Sequence, residues 1–124
     1  MNRYVLTVNL KDDPVAIEAY RRHHARVWPE VVDSLRQAGV REMDIRLLGR
    51  QLVMVVELNE GLDVKRVFAG HRESGSRVAE WEALMKTFQE PVAAARPGEW
   101  WAIMEPVFHL SESQVSSLKS RVES

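Results

Sequence analysis

At 124 residues the chain holds one domain, long enough to bury a single core. A hydrophobic content of 45% excludes a disordered chain, and a net charge of -1 removes any electrostatic case for nucleic acid or an anionic membrane surface. The absence of cysteine excludes disulfides, thiolate nucleophiles and cysteine-held metals, and suits a cytoplasmic protein. Asn9, Lys11, Asp12 and Asp13 interrupt the first apolar run too early for a signal peptide, and no apolar segment is long enough to span a bilayer.

Arg3 to Leu10 alternates, with Tyr4, Leu6, Val8 and Leu10 on one side, and predicts a strand. Asp13 then caps a helix that has Pro14 at its first position. The helix extends to about Ala38, where Gly39 stops it, and Pro29 should kink it or divide it just after Trp28. Val40–Leu48 and Gln51–Asn59 read as a hairpin turning at Gly49 and Arg50. The second of these strands is apolar on both faces, so both should be covered. Val64 to about Ala69 reads as helix, 70–76 as a polar break, Arg77–Phe88 as helix, Gln89–Gly98 as loop and Glu99–Leu110 as a last strand.

Strand–helix–strand–strand–helix–strand is the order of a ferredoxin-like α+β domain, βαββαβ, with helices on one face of a four-stranded antiparallel sheet. Nothing in one chain covers the other face. Two subunits packing sheet against sheet, a homodimer of the dimeric α/β-barrel kind, would cover it. Residues 1–110 form this one domain, and 111–124 form a C-terminal extension in which Val115, Leu118 and Val122 make a helical stripe.

Chemistry concentrates on the first helix. At 100° per residue Ile17, Tyr20, His24, Val27, Val31 and Leu35 share one stripe, while Arg21, Arg22 and Arg26 lie outside it. Tyr20 and His24, spaced i and i+4, are the polar tips of that stripe and stand side by side. Buried, they either bond nearby backbone or line a pocket and bond a ligand. His23 lies towards the edge of the stripe and ranks second; His71 falls in the polar break and is expected to be solvated; His109 ends the last strand. Asp44, Glu57 and Glu105 are the carboxylates considered as partners of His24. Trp28 suits the core. Trp100 and Trp101, as strand neighbours, should point to opposite faces. No HExxH, glycine-rich phosphate loop or Gly-x-Ser-x-Gly occurs, so no metal or cofactor is expected.

The run Tyr20-x-x-x-His24-x-x-x-Trp28-Pro29-Glu30 resembles the signature of the L-rhamnose mutarotase family of small sugar-anomer isomerases. The likeness extends over Arg3–Leu110. The segments Gln89-Glu90-Pro91, Arg96 to Ala102 and Glu105 to His109 resemble members associated with L-fucose. The resemblance implies a monosaccharide substrate, His24 as the acid/base, Tyr20 as a sugar-binding residue and Trp81 as the first of a paired-tryptophan sugar site. It also puts Met43 where the family has a binding tyrosine, and Glu82 where it has the second tryptophan; both remain candidates for substrate contact, with Trp100 and Trp101. Two other readings stand beside it: a dimeric α/β-barrel monooxygenase or haem-degrading relative, and a sugar-binding dimer without catalysis.

Overall fold

The computed structural model describes residues 2–111; the expected stripe at Val115, Leu118 and Val122 lies outside them. The element order is β1 (Arg3–Leu10), α1 (Pro14–Ala25), α2 (Pro29–Ala38), β2 (Val40–Leu48), β3 (Gln51–Leu58), α3 (Val64–Arg72), α4 (Ser76–Phe88), β4 (Gln89–Glu90) and β5 (Ala102–Ile103). All strand pairs are antiparallel, in the order β2–β3–β1, and both β4 and β5 add to the free edge of β1. This is the ferredoxin-like α+β arrangement, with each expected helix present as a pair.

Local chemistry explains the divisions. The Asp13 carboxylate accepts from the Val15 N–H at 3.0 Å and starts α1. Pro29 forces Trp28 out of the helical region, to ψ 136°, and then opens α2 at its first position. Gly39 ends α2 in the left-handed region at φ 112°, which favours glycine, and a Cβ there would also run into the end of the Leu62 side chain. At the β2–β3 turn only Gly49 has a positive φ, 63°, as a glycine-first hairpin turn needs.

The last strand differs from expectation. Instead of one run over Glu99–Leu110, the edge of β1 is completed by two pieces of two residues each, and β4 lies inside the stretch expected as loop. The prolines supply the reason. Pro91, Pro97 and Pro106 lack the N–H a ladder uses, so pairing stops before Pro91 and resumes only between Pro97 and Pro106. Arg50 anchors the first piece, donating to the Leu10 carbonyl at 2.8 Å and to the Glu90 carboxylate.

The alternation of β1 and β3 sorts the sheet faces. Leu6, Val8, Leu10, Leu52, Met54, Val56 and Leu58 are buried under the helices. Two buried clusters result, one around Leu6, Met54, Val56 and Val67, the other around Val8, Leu10, Tyr20 and Trp81; Leu35, Ile45 and Trp101 pack against both. The opposite face, with Val5, Val53 and Val55, carries no helix and is half-buried.

Candidate active site

A cavity of about 1070 Å³ opens at the seam between the two clusters, at the upper end of the range for small-molecule sites. Its floor is the helix-side face of the sheet, including Leu6, Met43, Ile45, Leu52 and Met54. Tyr20 and His24 enter from α1, Phe68 and His71 from α3, Trp81 and Glu82 from α4. Residues 96–101 form the remaining wall. That wall is closed on itself: the Glu99 carboxylate accepts the N–H of Arg96 at 3.0 Å and of Ile103 at 3.3 Å. Those two bonds hold the Glu99 carboxyl below its usual range.

On α1, the spacing places Tyr20 and His24 in a ring stack, centroids 4.0 Å apart. The His24 Nδ1–H donates to the Tyr20 carbonyl at 3.0 Å, which leaves Nε2 with its lone pair. Burial lowers the His24 pKa from 6.5, against the pull of that bond and with the nearby His23 acting in the same direction as burial. His24 at neutral pH is therefore an uncharged base. Tyr20 is only 4% exposed, and burial pushes its phenol far above the ordinary value; Gln89, hydrogen-bonded to the hydroxyl, partly offsets this, and the Glu82 charge adds to it. Tyr20 is thus a neutral hydroxyl. Gln89 is itself buried, and its side-chain oxygen accepts from Trp100 Nε1 at 2.8 Å, so one amide ties α1 to the outer wall. The Trp81 ring meets His24 edge-on at 5.3 Å and Trp28 at 5.2 Å.

A second histidine lines the same cavity. His71 is 2% exposed, not solvated as its polar sequence neighbourhood suggested. It lies in the last turn of α3, which runs through Gly70 to Arg72. Its Nδ1 is 2.8 Å from Ser34 Oγ, Ser34 Oγ is 2.7 Å from Ser74 Oγ, and its Nε2 is 3.5 Å from the Glu82 carboxylate. No buried side-chain nitrogen or oxygen among the described residues lacks a partner.

The structure brings Tyr20, His24, Met43, Trp81, Glu82, Trp100 and Trp101 to this one cavity. Trp100 and Trp101 do not point to opposite faces. They precede β5 in a bend rather than sitting in a strand, so the alternation of a ladder does not apply, and both line the cavity. The three carboxylates considered for His24 lie elsewhere. Asp44 is exposed and pairs with Arg46, Glu57 pairs with Arg41 on the helix-free face, and Glu105 is exposed. His23 stacks on Phe88 at 5.7 Å, with the Trp81 edge 6.2 Å away, and His109 is exposed.

Sequence reading missed His71 and undervalued Gln89. A signal for His71 existed: Val64, Val67 and His71 recur at i, i+3 and i+7, and all three are buried. Gly70 hid it by resembling a helix breaker. Among the described residues no cluster of three or more His, Asp or Glu side chains could hold a metal ion, and no helix is long and apolar enough to cross a membrane.

Fold and cavity define a class: a ferredoxin-like domain with a small-molecule-sized chamber between helices and sheet, lined by two histidines. Within it, this chain belongs to the L-rhamnose mutarotase family, whose model matches residues 3–110, and so to the carbohydrate isomerases. An L-fucose mutarotase of Xanthomonas campestris is 40% identical over 116 residues, covering 91% of each chain. Among solved structures, an L-rhamnose mutarotase of Formosa agariphila superposes with a TM-score of 0.65 at 18% identity, covering 90% of this chain and 100% of that one. A dimeric ferredoxin-like protein from an uncultured marine organism superposes with a TM-score of 0.50 at 14% identity, covering 88% and 91%.

Proposed function

We propose that this protein interconverts the α and β anomers of a 6-deoxy-L-sugar, L-fucose foremost and L-rhamnose next, with His24 as the acid/base. The observation that carries this reading is the state of His24: uncharged, its Nδ1 proton committed to the Tyr20 carbonyl, its Nε2 lone pair unspent, in the wall of a ligand-sized cavity. Such a nitrogen takes the proton of the anomeric hydroxyl as the ring opens and returns it when the open aldehyde, rotated about C1–C2, closes on its other face. Tyr20, held neutral, supplies a hydrogen bond to the sugar rather than a charge. The indoles of Trp81, Trp100 and Trp101 and the thioether of Met43 suit the C–H face and methyl group of a deoxysugar. The choice of L-fucose rests on the Xanthomonas campestris relative.

The experiment is anomer exchange measured by NMR saturation transfer with L-fucose, L-rhamnose and D-glucose. The wild type should accelerate one 6-deoxy-L-sugar, and His24→Ala should lose roughly 10²-fold or more of that rate while keeping its circular dichroism. Exchange at the buffer rate for all three sugars refutes the reading.

The working unit is a homodimer. Val5, Val53 and Val55 lie on a face without helices, and Val107 and Phe108 are 94% and 75% exposed, apolar surface that a second copy would cover. The dimeric ferredoxin-like neighbour supports this assembly. Light scattering at micromolar concentration should return the mass of two chains; a monomer refutes the dimer.

A further inference from the structure

Ring opening moves two protons, one off the anomeric oxygen and one onto the ring oxygen. His24 has one unspent nitrogen, and the Tyr20 phenol is held protonated. The cavity is also lined by His71 and Glu82, and the hydrogen bonds behind His71 run in one direction. Ser74 donates its hydroxyl proton to the His71 carbonyl at 2.7 Å. Its oxygen can then only accept from Ser34, 2.7 Å away. With the Ser34 proton spent there, the Ser34 oxygen accepts from His71 Nδ1–H at 2.8 Å. The reversed chain, from Ser74 to Ser34 to His71 Nδ1, would give up the Ser74 hydroxyl bond to the His71 carbonyl. His71 Nε2 and the Glu82 carboxylate stand 3.5 Å apart, close enough to pass a proton between them.

Glu82 follows Trp81, whose ring meets His24 edge-on, its charge is felt at Tyr20, and the pair lines the same cavity as His24. A buried imidazole is costly unless every polar atom is bonded, and here two serines and a carboxylate from α2, the α3–α4 connection and α4 do that.

We propose that Glu82, positioned and supplied by His71, is the second acid/base of the anomer exchange. This rests on the mutarotase reading above and deepens it. In the opening step His24 Nε2 removes the O1 proton and the O1–H electron pair becomes the second C1–O1 bond. The C1–O5 pair leaves with O5, which takes the proton shared by Glu82 and His71. Closure on the other face reverses each transfer: O5 attacks C1 and returns its proton to the Glu82–His71 pair, while O1 recovers its own from His24. No net proton, electron or co-reactant is consumed. Glu82 touches the sugar; His71 is a positioning residue acting through it.

The test is Glu82→Gln, which keeps size and hydrogen bonding but cannot carry the proton, measured by saturation transfer on the full chain with L-fucose and L-rhamnose. The kcat should fall roughly 10²-fold while KM stays close to wild type. In ¹⁵N spectra of the histidine rings, His71 should lose its shared Nε2 proton in the variant and settle as the neutral Nδ1–H tautomer. Wild-type kcat in Glu82→Gln, beside an active wild type and an inactive His24→Ala, overturns the role of the pair alone. A His71 ring spectrum unchanged by Glu82→Gln overturns the shared proton, whatever the activity. A wild type that accelerates no sugar overturns the mutarotase reading and this role together.

Discussion

His24 and His71 line the same cavity, and in both the Nδ1 proton is committed, yet the acceptors come from different levels of structure. His24 gives its proton to the carbonyl of Tyr20, four residues back on its own helix. His71 gives its proton to Ser34, 37 positions away, on a different helix. The first arrangement exists wherever α1 exists. The second exists only when α2, α3 and α4 are docked. The chemistry follows: His24 emerges as an isolated neutral base, while His71 emerges coupled to a carboxylate. One fold thus holds two imidazoles in different surroundings without any difference in residue type.

The difference can be broken from the His71 side. Ser34→Ala leaves the His71 Nδ1–H without its acceptor and Ser74 without its donor, in a buried setting. It should cost about 1–3 kcal/mol in urea unfolding. No side-chain deletion can do the same to His24, whose acceptor is backbone. An unchanged midpoint would contradict the one-directional chain of hydrogen bonds.

A smaller effect separates the two by pH. His24 has its folded pKa lowered by burial, so between that value and the ordinary 6.5 the unfolded chain binds more protons than the folded one. Its contribution to stability is fully present above about pH 6.5 and is lost as pH falls towards the lowered folded value. Across that window the melting temperature of the wild type should fall more than that of His24→Gln. Parallel curves would show that His24 titrates as a solvated imidazole. The smallest effect belongs to the remaining histidine of α1. His23→Ala removes a ring stacked on Phe88, should cost about 0.5–1.5 kcal/mol, and should leave anomer-exchange kcat unchanged.

Much of this was legible in the chain. Asp13, Pro14, Pro29 and Gly39 set out the helices that bear the first half of the site, because caps, ring closure and a positive φ act within a few residues. The alternation of Leu6, Val8 and Leu10 marked the helix-side face of β1 for the same reason. Tyr20 and His24 were legible as neighbours because a helix repeats in less than four residues. Trp100 and Trp101 were misread because strand alternation needs a paired strand, and the nearby prolines and Glu99 limit pairing there to Ala102 and Ile103.

By itself the sequence determined the first three strands, the helices, and the pairing of Tyr20 with His24 on one helix stripe, since those depend on contacts a few residues apart. Tertiary structure alone decided that Ser34, His71 and Glu82 meet, that both tryptophans turn to one cavity, and that Glu82 rather than Asp44 or Glu57 lines that cavity with His24. Those are questions of which face of one element docks on another, and the direction of a buried hydrogen bond is settled only when every donor and acceptor around it is in place.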